Sequence, residues 1–275
     1  MADILALVLT CNCAQPRDNN NRKLTPISPR NALPCMIVGE SCNIKTSLLF
    51  LTAVTAASDL GVRVVFFTPT PFQSLPGLLQ DSLACLNPES LKKITFMYSR
   101  SQEELLQNVA YLHESVRQAA VLPALLIVDR LDRYLGLQRE EQAAAAVHLS
   151  ALLIDTASFL TRNSEEPCRV IVSFDVEQQG QAPRELAAPD PILSILNRYF
   201  SVHCTLDRDR RSGVPSPPGE PGDAWQIYFS GAGNTVAHGG SNQGDQILGR
   251  QWQLAICPNG TMEFLPTSME SCVNE

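Results

Sequence analysis

Six short runs of β-branched and aromatic residues constrain most strongly what this chain can fold into: CMIVG (35–39), VRVVFFT (62–68), KITFMYS (93–99), ALLIVD (124–129), RVIVSFD (169–175) and SVHCTLD (201–207). Several are nearly continuous in apolar residues, so both faces of the strand must be covered, as in a parallel sheet flanked by helices. The segments between them have the helical period. Residues 46–59 follow the first run, and SQEELLQNVAYLHESVRQA (101–119) opens with Ser101 in a capping position and Glu104 three residues on. Residues 139–162 carry Leu149, Leu152, Leu153, Phe159 and Leu160 at helical spacing. This alternation predicts an α/β fold, a doubly wound and mostly parallel sheet. WQIYFS (225–230), WQLAIC (252–257) and TMEFLP (261–266) follow without helices between them and predict antiparallel strands on one edge.

The apolar share of 44% over 275 residues is enough for a substantial core. Residues 35–275 read as one domain, preceded by a flexible N-terminal extension, 1–34. Within that extension MADILALVLTCNC is a short apolar start, with Asp3 where a secretory signal carries positive charge, and reads as a non-cleaved start, an extra strand or a helix turn. Residues 14–34 are a polar, proline-containing linker. The connections 207–223 and 231–246 are long, polar and rich in Gly, Pro or Ser, and are expected to be mobile. No apolar run approaches the ~20 residues of a membrane helix, so no membrane association is expected. The net charge of −7 argues against a domain built mainly to coat nucleic acid. Nine cysteines without a CxxC pair indicate neither a zinc site nor a disulfide framework, and imply a reducing compartment.

The chemistry concentrates in GESCNIKT (39–46). It matches the phosphate loop G-x-x-x-x-G-K-[ST] except that Ile44 replaces the second glycine. A strand precedes it and a helix follows, the setting such a loop requires. Asp129 closes a buried strand far downstream, where an acidic residue shares a magnesium shell with Thr46. Gly39, Ile44, Lys45, Thr46 and Asp129 are therefore the candidate nucleotide-binding residues, with Mg held by Thr46 and Asp129 once ATP is bound. Ile44 is β-branched and disfavours positive φ. Forcing it there costs about 1–3 kcal/mol, ten- to a hundred-fold in affinity. A weakened ATP site follows, one that Ile44→Gly would tighten. Phe50-x-x-Ala53 is best explained as core on the helix after the loop.

The ordered set CMIVGESCNIKTSLLF, VVFFTPTPFQSLP, LLIVDRLDRYL, AAVHLSALLIDTASFL and ILNRYF resembles the RecA-like recombinase paralogues, over roughly Leu33 to Leu206. Within them the likeness is to the paralogue associated with a SWIM-type zinc finger protein in the Shu complex. The resemblance implies a nuclear, single-stranded-DNA-stimulated ATPase that helps assemble or protect recombinase filaments in homologous recombination and double-strand break repair. It also implies contacts with the SWIM-type partner, the RecA-like recombinase and other paralogues.

Three departures from that pattern point to slow or absent hydrolysis, so no catalytic residue is assigned. They are Ile44, the lack of any acidic residue from Phe66 to Gln73 where recombinases carry the glutamate that activates water, and Asp175 near the position that senses γ-phosphate. A carboxylate there repels phosphate unless it is paired or turned away. Candidate DNA contacts are Arg130, Arg133, Arg208, Arg210 and Arg211, which would neutralise phosphates without reading sequence; the alternative is a solvated loop. Two other functional readings stay open. One is an active DNA-stimulated ATPase with its base elsewhere. The other is a small-molecule P-loop kinase using the Arg-rich 207–223 loop as a lid.

Overall fold

The computed structural model describes residues 2–11, 33–72, 88–116, 121–136, 138–176, 190–208, 224–231, 251–256 and 262–267. The six apolar runs are strands β1 (Cys35–Gly39), β2 (Arg63–Thr68), β3 (Ile94–Tyr98), β4 (Pro123–Val128), β5 (Arg169–Asp175) and β6 (Val202–Arg208). The tail adds β7 (Ala224–Gly231), β8 (Gln251–Ile256) and β9 (Met262–Thr267). They form a nine-stranded sheet in the order β3-β2-β4-β5-β1-β6-β7-β8-β9. Pairing is parallel from β3 to β6 and antiparallel from β6 to β9, as the run-and-helix pattern predicts.

The continuous apolar runs are explained by where successive residues go. Cys35 and Ile37 face one buried cluster and Met36 the other; Val64 and Phe66 alternate in the same way with Val65 and Phe67. The first cluster lies under α1 (Ala2–Cys11) and α2 (Asn43–Ser58). The second lies under α4 (Gln102–Ser115), α5 (Arg139–Arg162) and α6 (Pro191–Tyr199), while a single short turn, α3 (Pro88–Leu91), precedes β3. Ser101 caps α4 as expected, its hydroxyl accepting from the Glu104 N–H at 3.2 Å. Helix α6 starts at Asp190-Pro191, where the Asp190 carboxylate accepts from the Ile192 N–H at 2.9 Å, and turns Ile192, Ile195, Leu196 and Tyr199, at helical spacing, toward the core. By length and composition Glu141–Arg162 in α5 could cross a membrane, contrary to the expectation from sequence; here Leu149, Leu153 and Leu160 are buried against the sheet.

One expectation about the extension is corrected. Residues 2–11 are not a flexible lead-in but helix α1, and Ile4, Leu5, Val8 and Leu9 are fully buried. The physical cause lies in α2, whose residues Ile44 to Ala57 are buried on every side except at half-buried Thr46. A helix without a polar face must be covered. Spacing of i, i+1, i+4 and i+5 gives α1 a single apolar stripe to do it, and that stripe joins Trp225, Ile227, Trp252 and Leu254 in one cluster. The polar linker and the long tail connections, from 12 to 32, 209 to 223 and 232 to 250, lie outside the described residues. Phe50 and Ala53 are core, with Phe50 stacking on Phe96 at 5.7 Å between ring centroids.

If α1 belongs to the core, Leu5→Ala should lower the unfolding free energy by about 2–5 kcal/mol in a urea titration. A flexible extension would leave the midpoint unchanged.

Candidate functional site

The parallel strands bring three chain segments to one edge. Strand β5 lies between β4 and β1, so Asp129, Asp175 and Gly39 emerge side by side at the C-terminal ends, where open α/β sheets bind ligands. Gly39 sits in register with Asp175 on one side and Leu206 on the other. A Cβ on Gly39 would lie 2.6 Å from the Leu206 carbonyl oxygen, so close strand packing alone demands glycine there.

Only Glu40, Ser41 and Cys42 separate β1 from α2. Ile44 is in the first turn of α2, 1% exposed and packed in the core cluster beneath α1 and α2. Among the described residues the one non-glycine with positive φ is Arg130. The predicted strain at Ile44 is therefore absent. The chain takes up helix one turn early and turns the isoleucine inward, so Ile44 contributes its backbone to the loop and its side chain to the core. Cys42 at the N-cap makes no side-chain capping bond, which leaves the first-turn N–H groups of α2 to an incoming anion.

Lys45 is 1% exposed and fully engaged within the protein. Its ammonium donates to the Gly39 carbonyl at 3.0 Å and to the Glu40 carbonyl, and lies 2.8 Å from Asp175 Oδ1. The Asp175 contact is a charge pair without the angle of a well-aligned hydrogen bond. Asp175 is thus paired, which removes the repulsion that an isolated carboxylate would impose. Its position is set by the backbone: the Asp175 N–H donates to Asp132 Oδ1 at 3.1 Å, and the Val176 N–H donates to the Gly39 carbonyl at 3.0 Å.

Thr46 and Asp129 meet as a magnesium pair should. The Thr46 hydroxyl lies 3.0 Å from both Asp129 oxygens, and the Ser173 hydroxyl donates to Asp129 Oδ1 at 2.9 Å. Burial pushes the Asp129 carboxyl above its usual range, and the Ser173 and Thr46 hydrogen bonds and the nearby Arg130 charge only partly offset it. Asp132 is raised for the same first cause, burial. A buried carboxylate in this state is relieved by a cation, so the residues fit a magnesium-bound phosphate at this point. Among the described residues no cluster of three or more His, Cys, Asp or Glu side chains could hold a metal alone.

Of the candidate DNA-contacting arginines, Arg130, Arg133 and Arg208 are among the described residues. Arg130 adopts a left-handed conformation (φ 53°), its N–H donates to Ser173 Oγ at 2.8 Å, and its guanidinium donates to Asn43 Oδ1 at 3.1 Å. It therefore reaches across to the phosphate loop. Arg133 is exposed in the turn Leu131–Tyr134 and pairs loosely with Asp132 at 3.8 Å. Arg208 ends β6, and Arg210 and Arg211 lie outside the described residues. Asn43, Asp132 and Ser173 were not singled out from sequence. The available signal for Ser173 was a hydroxyl inside an otherwise apolar buried strand, which needs a partner. A shallow depression lined by Tyr98, Arg100, Glu104, Gln107 and Asn108 lies beside β3 and α4.

No protein-family model matches the chain. It is similar to ATPase SWSAP1 of Mus musculus, 33% identical over 211 residues covering 76% of this chain and 68% of the mouse protein. It is similar also to ATPase SWSAP1 of Homo sapiens, 33% identical over 196 residues covering 70% of this chain and 78% of the human protein. Among solved structures, a KaiC-like protein from the hyperthermophilic archaeon Pyrococcus horikoshii OT3 aligns with a TM-score of 0.53 at 14% identity, covering 86% of this chain and 90% of that one. At that identity the structural likeness speaks for the fold alone, and the fold is RecA-like.

Two substitutions check this geometry. Ile44→Ala should cost about 2–4 kcal/mol in chemical denaturation by opening a core cavity, and Ile44→Gly should cost still more rather than tighten ATP binding. Asp129→Asn should raise the melting temperature of the ligand-free protein at neutral pH. The raised Asp129 pKa means the folded state holds that proton more tightly than the unfolded one. Wild-type stability is therefore lost as pH climbs above the ordinary value of 3.8, and the Asn variant escapes that loss. The difference between the two proteins should shrink as melts are repeated toward pH 3.8.

Proposed function

Because the chain belongs to the ATPase SWSAP1 family, we propose that it serves as a recombinase-paralogue subunit in homologous recombination and double-strand break repair. In this reading it acts in the nucleus, joins a SWIM-type zinc finger protein in a Shu-type complex, binds single-stranded DNA, and supports the assembly or stability of RecA-like recombinase filaments. Its ATP site is degenerate: it retains binding elements and turns over slowly if at all.

The observation that carries the degenerate-site reading is the state of Lys45. The lysine that meets β- and γ-phosphates in a working loop is neutralised by the protein's own Asp175. The segment from Phe66 to Phe72 offers no carboxylate as base, and Phe72 is held in an aromatic cluster with Phe50, Phe66 and Phe96. Binding elements nonetheless persist. Thr46 and Asp129 would hold magnesium, the first turn of α2 would cradle phosphate, and Arg130 would add charge beside Asn43. Bound ATP would supply the phosphate oxygens that complete the magnesium shell.

The name ATPase carried by the relatives favours a second reading, a true DNA-stimulated ATPase whose base comes from another residue or a neighbouring protomer. ATP turnover measured with and without single-stranded DNA separates the two. Under the binding-module reading, turnover stays at background in both conditions and is the same in Lys45→Ala. DNA-stimulated turnover that disappears in Lys45→Ala would establish the second reading. Co-purification of the wild-type chain with the SWIM-type partner is expected in either case.

A further inference from the structure

Lys45 presents an unusual balance of charge. An ammonium has three donors, and here two go to the Gly39 and Glu40 carbonyls, while Asp175 Oδ1 lies 2.8 Å from the nitrogen as a charge pair rather than an aligned hydrogen bond. At 1% exposure Lys45 has no water to turn to. Asp175 in turn is fixed from below, by register with Gly39 and by its N–H bond to Asp132. Around this pair the site holds Lys45, Arg130 and Arg133 against Glu40, Asp129, Asp132 and Asp175. Among these described residues the groups nearest the loop carry no surplus positive charge with which to attract a polyphosphate.

We propose that Asp175 is a built-in competitor of nucleotide phosphate: it neutralises Lys45 in the ligand-free protein, and a nucleotide enters only by displacing it. The site is thereby held in a self-liganded resting state whose opening sets the apparent affinity. A ligand that binds only the open form has its affinity reduced by the fraction of molecules in that form. The same carboxylate that weakens binding stabilises the empty fold, because a buried lysine without a counter-ion is strongly unfavourable. This deepens the nucleotide-binding reading above and rests on it.

The two roles of Asp175 predict opposite changes in two measurements, which a merely structural residue would not produce. In Asp175→Asn the ligand-free melting temperature should fall, while calorimetric titration with Mg·ATP should show binding about tenfold tighter than wild type. Asp132→Asn removes a nearby charge that does not touch Lys45, and it should tighten binding less. If Asp175→Asn does not fold, Asp175→Ser carries the same expectation. In the wild-type protein, the Lys45 Nζ resonance should change its environment on adding Mg·ATP. If wild type binds and Asp175→Asn or Asp175→Ser binds no tighter, or if Asp132→Asn tightens binding equally, the competition is disproved and the nucleotide reading stands. An unchanged Lys45 resonance at saturating Mg·ATP would also disprove it. If neither wild type nor variant binds Mg·ATP at millimolar concentration, the nucleotide reading itself fails, and the proposal with it.

Discussion

A lysine ammonium removed from water has to be neutralised, and the C-terminal edge of this sheet is organised around that requirement. Lys45 can be buried because β5 delivers Asp175 beside it, and β5 can do so because it runs between β1 and β4. The same placement lets Ser173, two residues earlier on β5, hold Asp129 and the Arg130 N–H. Phosphate loop, acidic strand and the strand between them are thus one hydrogen-bonded unit. Removing either member of the buried pair leaves an uncompensated charge, a change that typically costs about 3–5 kcal/mol.

Much of the architecture could be read from residue patterns. Continuous apolar runs announced strands covered on both faces, and the change to strands without helices announced the antiparallel edge. Thr46 and Asp129 could be paired from motif and context, and they meet at 3.0 Å. Ile44 could not be read correctly in isolation. Its β-branched side chain was weighed against the glycine conformation it replaces, whereas the fold starts α2 earlier and uses the side chain as core. The partner of Asp175 was likewise invisible, because it is set by strand register across more than a hundred residues of chain. The start of the chain could be read as an extra strand or helix turn, but the covering role of α1 becomes apparent only once α2 is recognised as apolar all round.

Gly39 shows how a motif residue can be doubly determined. Its closeness to the Leu206 carbonyl makes glycine necessary for the β1–β6 pairing whatever binds nearby. The first glycine of the loop is therefore evidence for the sheet as much as for the ligand. Lys45, Thr46 and Asp129 carry the ligand argument, since each is a buried or half-buried polar group whose presence in an apolar setting a sheet alone does not explain.

The packing under α1 also determines what the chain reveals to light. Its two tryptophans, Trp225 and Trp252, are both buried in the cluster that α1 completes, and neither indole N–H has a hydrogen-bond partner among the described residues. They stand on β7 and β8, at the antiparallel side of the sheet, separated from the β4–β5–β1 edge by β6. Intrinsic fluorescence is thus an optical gauge of one half of the molecule. A blue emission reports that α1 is seated over dry indoles, and a red shift reports its departure, while events around Lys45 leave the signal dark.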